Sequence, residues 1–376
     1  MAGGAPSTAS QSDTDRRFLA AAIRMSRHHL GLTGTNPSVG TLIVRDNGDG
    51  PCIVGRGVTA IGGRPHAEPQ ALDEAGELAR GATAYVTLEP CAHHGRTPPC
   101  AEALVTAGVT RVVGAATDPD ERVSGRGYAI LRQAGIDVVE AVLAEQAADL
   151  MAGYLIRSVS KRPEVTLKLA ISADGKIGRV GEGQVAITGA EARAQVHAMR
   201  AEADAILVGI GTALADDPEL TCRLPGLEQR SPIRIVLDCD ARLPLASKLV
   251  AGATQTPVII AAAPEADAGR KAELAAHGVQ FMGADIAEGR IALPELVEDL
   301  AGRGVSTLMV EGGAAVAEQF LHDGLVDRIA LFSSDVKIGQ GGVASPISRE
   351  TIPAGFALVR DGGFGDDRYA EWVRKT

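Results

Sequence analysis

The chain has 376 residues, of which 45% are hydrophobic and 22% charged. That balance fits a globular protein of two domains and excludes a disordered or fibrous chain. Net charge is -10 and aromatic content only 3%, which argues against a nucleic-acid partner, since such partners call for basic surfaces and stacking rings.

No apolar run approaches the roughly 20 residues a membrane span needs, so no membrane association is expected. Met1–Ser12 is small and polar and reads as a frayed tail, without the features of a secretory signal. Five cysteines, an odd number, without such a signal point to a reduced, cytoplasmic setting. There, a Cys near His and Glu motifs suggests a metal site rather than a disulfide.

Apolar spacing predicts a helix over Asp13–Leu30 and short strands over Ser38–Val44 and Cys52–Val58, joined by the turn Asp46–Gly50. A helix follows over Pro69–Ala79, then a strand over Thr83–Leu88 and a helix over Pro99–Ala107. Arg111–Ala116, Tyr128–Ala134 and Ile136–Val142 read as strand, helix and strand. Alternation restarts after Lys161-Arg162-Pro163. Strands are predicted at Glu164–Ile171, Ala205–Gly209, Ile233–Leu237, Val258–Ala262, Leu308–Val310, Arg328–Phe332 and Arg368–Val373. Helices are predicted at Ala190–Ala201, Ala268–Ala276 and Leu293–Arg303, with another from Gly313 to His322. Strands alternating with helices imply α/β layers with largely parallel pairing. The expected division is a tail over 1–12, a first domain over 13–159 and a second over 164–376.

The strongest chemical signal is His66-Ala67-Glu68, followed by Pro90-Cys91 and then Cys100. One imidazole and two thiolates make a three-ligand zinc set that leaves a fourth tetrahedral position for water. Water acidified there can attack an amidine-like carbon, and a carboxylate that is not a ligand must then shuttle protons. Glu68 is placed for that role, in the His-x-Glu and Pro-Cys order of zinc nucleobase deaminases. Residues i and i+2 stand about 200° apart on a helix. His66 is therefore expected at a helix entrance, with Glu68 in the first turn. A helix start near Cys91 and Cys100 favours thiolates, so both sulfurs are expected to be ionised before metal arrives.

The segment Cys91-Ala92-His93-His94-Gly95-Arg96-Thr97-Pro98-Pro99-Cys100 is not the short Cys-x-x-Cys of most deaminases. It resembles the loop of the bifunctional deaminase/reductase family of riboflavin biosynthesis, and the resemblance runs from Asp15 to Thr376. It includes Thr35–Gly40 in the first half, and Leu167–Lys176, Ala205–Gly211, Leu214–Pro218 and Val310–Gly313 in the second. The resemblance implies a cytidine-deaminase-like three-layer α/β/α domain followed by a dihydrofolate-reductase-like α/β domain. It implies two reactions on a small phosphorylated pyrimidine. The first is zinc-dependent deamination of 2,5-diamino-6-(5-phosphoribosylamino)pyrimidin-4-one. The second is NADPH-dependent reduction of the product's ribosyl chain to ribityl. A homo-oligomer is the expected assembly.

Hydride transfer needs cofactor and substrate held in contact, so phosphate cradles and anion clamps are the features to seek. Glu311-Gly312-Gly313-Ala314 opens a helix, where backbone N–H groups can approach a phosphate; alone, the pair of glycines is more often a tight turn. Arg200 and Arg223 are candidate phosphate clamps. Lys168 lies on an apolar strand, where a buried ammonium needs a partner, and Glu311 is the expected one. By resemblance, substrate contacts fall on Asn36, His93, Arg96, Lys168, Gln184, Arg200, Leu220, Arg223 and Glu311. Cofactor contacts fall on Ala170, Ala186, Thr212, Asp216, Cys239, Gly313, Ala314 and Ala315. Thr59, Pro69, Gln70, Ala92 and Gln184–Ile187 depart from the family pattern. The rival reading is a zinc nucleoside or tRNA deaminase with a C-terminal binding domain.

Overall fold

A computed structural model describes residues 8–95, 98–120 and 123–375. The chain divides between Ser160 and Lys161 into two compact units.

The first unit carries strands β1 (Gly40–Asp46), β2 (Pro51–Val58), β3 (Thr83–Leu88), β4 (Arg111–Ala116) and β5 (Asp137–Val139) in the order β2-β1-β3-β4-β5. The β2, β1 and β3 strands pair antiparallel, and β3, β4 and β5 parallel. Its helices are α1 (Thr8–Ser26), α2 (Ala67–Ala75), α3 (Cys100–Thr106), α4 (Arg126–Gln133), α5 (Ala144–Leu150) and α6 (Ala152–Ser160). Two clusters of buried side chains form its core: one joins Phe18 and Leu19 of α1 to Leu42 and Val113, the other joins Ala71 of α2 to Leu104 and Leu131. Asp15 secures α1: both its oxygens accept from Arg111, at 2.7 and 2.8 Å, and Oδ1 also accepts from the Tyr85 hydroxyl at 3.0 Å.

The expected tail reaches into this helix. Residues 1–7 lie outside the described part, but Thr8–Ser12 already belongs to α1. The strand expected over Ile136–Val142 is only three residues long, because the chain turns through positive φ at Ala141 and Leu143 to enter α5.

The second unit contains β6 (Glu164–Ile171), β7 (Lys176–Arg179), α7 (Ala190–Glu202), β8 (Ala205–Gly209), α8 (Ile210–Asp216), β9 (Ile233–Leu237), α9 (Lys248–Ala251), β10 (Val258–Ala262), α10 (Ala268–Ala276) and β11 (Gln280–Gly283). It continues with the short pair β12 (Ile286–Ala287) and β13 (Arg290–Ile291), α11 (Leu293–Gly302), β14 (Thr307–Val310), α12 (Ala314–His322), β15 (Arg328–Ser333), β16 (Gly342–Ala344), β17 (Phe356–Phe364) and β18 (Asp367–Arg374). Nine strands form one sheet in the order β11-β10-β9-β8-β14-β6-β15-β18-β17. All neighbours pair parallel up to β15; β18 and β17 join antiparallel.

β8 and β10 are buried at every position, as expected of strands covered on both faces. Each large aliphatic side chain buried there contributes roughly 1.5–3 kcal/mol. β6 instead alternates: Val165, Leu167, Leu169 and Ile171 are buried, while Thr166, Lys168 and Ala170 occupy the other, partly open face. Period-two geometry therefore sets Lys168 and Ala170 side by side. No described helix is long and apolar enough to cross a membrane.

Candidate active sites

His66 is the N-cap of α2, with extended backbone, and Glu68 lies in the first turn, as the spacing requires. This entry is held closely against β2. A side chain at Gly57 would overlap the Ala67 carbonyl, so only glycine allows the first turn of α2 to rest there. Gln70 Nε2 donates to the carbonyls of Val58, Pro65 and His66 at 2.5, 3.1 and 2.9 Å, tying the His66 turn to β2. Thr59, the other departure near the His, is buried and accepts the Val39 amide at 3.0 Å. Both departures thus have structural work in this chain.

Cys91 follows β3, and Cys100 opens α3. One ligand atom from each of His66, Cys91 and Cys100 lies within 4.8 Å of the others. His66 Nδ1 stands 3.8 Å from Cys91 Sγ and 3.4 Å from Cys100 Sγ. Three neutral-nitrogen and sulfur donors at this spacing, with no fourth joining their cluster among the described residues, fit a zinc ion with an open position. Glu68, 4% exposed, is beside them and hydrogen-bonds the Cys100 thiol. Burial, reinforced by the negative charge at Cys91, pushes its carboxyl up to about 7.

The two sulfurs are not equivalent. Cys91 accepts from the Cys100 thiol, from His66 and from the Cys100 amide (3.3 Å), and is drawn down to about 4. Cys100, as donor to Cys91 and buried, is pushed far up. The N-terminus of α3 directs the Cys100 amide at Cys91, which favours the thiolate expected there.

Asn36 Nδ2 donates to the Gly63 carbonyl at 3.1 Å, on the loop that leads to His66. His93 follows Cys91 by two residues, and its Nδ1 is buried without a hydrogen-bond partner. Arg96 lies outside the described residues.

In the second unit the expected residues gather at the carboxyl edge of the parallel strands, where open α/β sheets take their ligands. Ala170 is near the end of β6, Thr212 follows β8, Cys239 follows β9, and Glu311 to Ala315 follow β14. These four strands are adjacent in the sheet. Gly313 caps α12 without a side-chain bond of its own, and its amide donates to Thr212 Oγ1 at 2.9 Å. That hydroxyl occupies the first amide, so a phosphate at this end must use those of Ala314 and Ala315. Asp216 lies four residues beyond Thr212 on the same face of α8, its carboxyl pushed up by burial. Gln184 and Ala186 are exposed on the coil between β7 and α7.

Glu311 accepts two bonds from Arg200, at 2.7 and 2.9 Å, with Lys168 Nζ at 3.8 Å. Burial opposes the charge on Glu311, but the two cations overcome it and hold the carboxyl at about 2. Burial lowers Lys168, against the pull of Glu311. Arg200 gives its remaining nitrogen to the Thr221 carbonyl at 3.1 Å. Arg200, expected as a phosphate fork, is thus paired with Glu311 in this structure. Arg223, half-exposed and paired with Glu219 at 3.0 Å, remains open to solvent. Leu220 is buried with φ 57°, a left-handed backbone that a non-glycine residue adopts only under constraint.

Sequence reasoning missed what supplies that constraint. Arg234 on β9 is 1% exposed and donates to the carbonyls of Glu219, Gly252 and Thr256 at 3.1, 2.9 and 2.5 Å. His197 Nδ1 lies 3.1 Å from the Thr221 carbonyl and 3.3 Å from the Arg223 amide. An arginine inside the apolar pattern Ile233–Leu237 was the only signal available.

A family model for the cytidine and deoxycytidylate deaminase zinc-binding region matches residues 12–116. One for the RibD C-terminal domain matches residues 163–361. The chain is 39% identical to the riboflavin biosynthesis protein RibD of Aquifex aeolicus (strain VF5), over 88% of this chain and 89% of that protein. It is 38% identical to that of Escherichia coli (strain K12), over 86% and 89%. Among solved structures, Acinetobacter baumannii RibD (form 1) matches with a TM-score of 0.84 and 34% identity, covering 97% of this chain and 100% of that one. The deaminase/reductase of Thermotoga maritima matches with a TM-score of 0.83 and 32% identity, covering 97% and 99%.

Proposed function

The chain belongs to the RibD family, the bifunctional deaminase and reductase enzymes of riboflavin biosynthesis, and from that premise we propose how its two units divide the chemistry. The first unit hydrolyses the amino group from 2,5-diamino-6-(5-phosphoribosylamino)pyrimidin-4-one. The second reduces the ribosyl chain of the resulting 5-amino-6-(5-phosphoribosylamino)uracil to ribityl, with NADPH as reductant.

The observation that carries the first assignment is the convergence of His66, Cys91 and Cys100 beside buried Glu68. These three residues would hold one zinc ion, which when bound acidifies water to near-neutral pH and so supplies the nucleophile. Glu68, buried beside the three donors, takes a proton at Oε and returns it to the departing nitrogen. Asn36, His93 and Arg96 contact the substrate around that centre.

In the second unit the bound dinucleotide supplies the hydride, and the chain supplies position. Thr212, Asp216, Gly313, Ala314 and Ala315 would hold the dinucleotide, with Ala170, Ala186 and Cys239 packing around it. Lys168 and Glu311 contact the ribose being reduced, with Gln184, Leu220 and Arg223 holding the phosphorylated end. The run of small residues from Gly312 to Ala315 supports this, since these residues themselves put no large side chain at the entrance of α12. Five free cysteines suit a reducing cytoplasm, and a homo-oligomer, measurable by light scattering, completes the reading.

The test is to supply the diaminopyrimidine phosphate without reductant, with NADH and with NADPH, and to identify products by mass. Ammonia release without reductant, then gain of two hydrogens with NADPH, is expected. Deamination of cytidine but not of this substrate would favour the rival nucleoside deaminase.

A further inference from the structure

Resting on the zinc reading above, we infer that Glu89 is a positioning residue for the Cys91 ligand, acting through the start of α4. Glu89 directly follows β3 and is 2% exposed. Its amide donates to the Ala116 carbonyl at 2.9 Å, extending the β3–β4 ladder past its last pair. Its carboxylate does not reach the ligand cluster. Oε2 accepts the Gly125 amide and Oε1 the Gly127 amide, both at 3.0 Å. Gly125 is the N-cap of α4 and has no side chain of its own to bond these amides. Glu89 thus supplies, from a neighbouring strand, the carboxylate that satisfies the positive end of that helix.

The consequence falls on the next two residues. With its head on α4 and its backbone on β4, Glu89 fixes the direction in which Pro90 and Cys91 leave the sheet. The fit is close. A side chain at Gly127 would overlap the Pro90 carbonyl, so α4 presses on this peptide from one side. From the other side α3 holds Cys91: the Ala101 amide donates to its carbonyl at 3.2 Å and the Cys100 amide to its sulfur at 3.3 Å. Cys91 is therefore held between two helix starts, and Glu89 is the only side chain of this tripeptide that reaches α4 with charge. Partners that orient metal ligands commonly change affinity by about 10–100-fold when removed.

The experiment measures zinc affinity of the full chain by competition with a chromophoric chelator, for wild type, Glu89→Gln, Glu89→Ala and Gly127→Ala. Visible spectra of the cobalt-substituted forms and the reduction rate of the second unit are recorded alongside. Glu89→Ala is expected to bind zinc about 100-fold more weakly and to alter the cobalt–thiolate bands. Glu89→Gln, which keeps one acceptor oxygen, should recover part of the affinity. Reduction should stay at the wild-type rate in all. Gly127→Ala, which crowds both the Pro90 carbonyl and the Glu89 side chain, should also weaken zinc binding. If Glu89→Ala fails to fold, Glu89→Gln serves in its place, because it removes the charge and one acceptor for the Gly125 and Gly127 amides; weakened zinc binding and shifted cobalt bands there support the inference, and wild-type values overturn it. Wild-type affinity and cobalt spectrum in both Glu89 variants would likewise overturn it. A wild-type chain that takes up no zinc, or whose zinc survives Cys91→Ser, would instead defeat the zinc reading, and this inference with it.

Discussion

The two sites solve opposite problems. In the first unit His66, Cys91 and Cys100 bring three metal donors within 4.8 Å of one another, a cluster that a cation would complete. In the second, Glu311 is already held between Arg200 and Lys168 before any ligand binds, two cations facing one carboxylate. A site that waits for a metal depends on it for its geometry. A site built on its own ion pairs is preformed, and its substrate must fit around charges that are already in place. The contrast predicts that the first unit is fragile towards chelators and the second towards loss of a single charged partner.

The largest effect should come from Glu68→Gln. Zinc content is expected to remain while deamination falls by about 10²–10⁴-fold, with reduction of pre-deaminated substrate unchanged. Ammonia release at a near-normal rate would remove Glu68 from the chemistry. Chelation should likewise silence deamination, and sparing of the reductase within about twofold under the same treatment would sharpen the contrast.

Next comes Arg200→Met. Because this pair is nearly buried, with side-chain exposures of 11% and 10%, breaking it should destabilise the second unit by about 3–5 kcal/mol in denaturant titration. A raised KM for the phosphorylated substrate at unchanged stability would instead restore Arg200 as a phosphate clamp.

Acid provides a third probe. The Glu311 carboxyl is held at about 2, below its ordinary 4.5. Its folded value is depressed, so its contribution is fully present above the ordinary value and is lost as pH falls from 4.5 through about 2. The second unit should lose on the order of 3 kcal/mol over that range, and Glu311→Gln should flatten the slope. An unchanged slope would mean that the cations do not govern this carboxyl.

The smallest stability effect belongs to Arg223→Ala. Its ion pair with Glu219 is half-exposed, so stability should change by less than about 0.5 kcal/mol. A rise in KM for the phosphorylated substrate, against an unphosphorylated analogue, is the outcome that would keep Arg223 as its anchor.

Much of this was legible in the chain itself because local rules were strong. The runs Thr83–Leu88, Glu164–Ile171 and Val258–Ala262 become strands with those bounds, since each is a buried or alternating apolar stretch ended by a turn. His66 and Glu68 could be placed at a helix entrance from spacing alone. β17 was missed: its Arg360-Asp361-Gly362-Gly363 stretch has no apolar alternation, and it exists because β18 pairs with it at the sheet edge. The Arg200–Glu311 pair was missed for a related reason. It joins residues 111 positions apart, and no local pattern signals which charges will meet. The roles of Gly57 and Gly127 were equally hidden, since close approach between backbones is a property of packing.

The junction of Asp15 with Arg111 and Tyr85 has a practical corollary. It marks how far the amino end can be trimmed. Removal of residues up to about Ser12 would leave this lock whole, whereas a start beyond Asp15 would take both terminal nitrogens of Arg111 and the Tyr85 hydroxyl off their shared carboxylate, leaving Arg111 only its Nε bond to Asp137. Trimmed enzymes should therefore split into a tolerant and an insoluble series on either side of that one carboxylate.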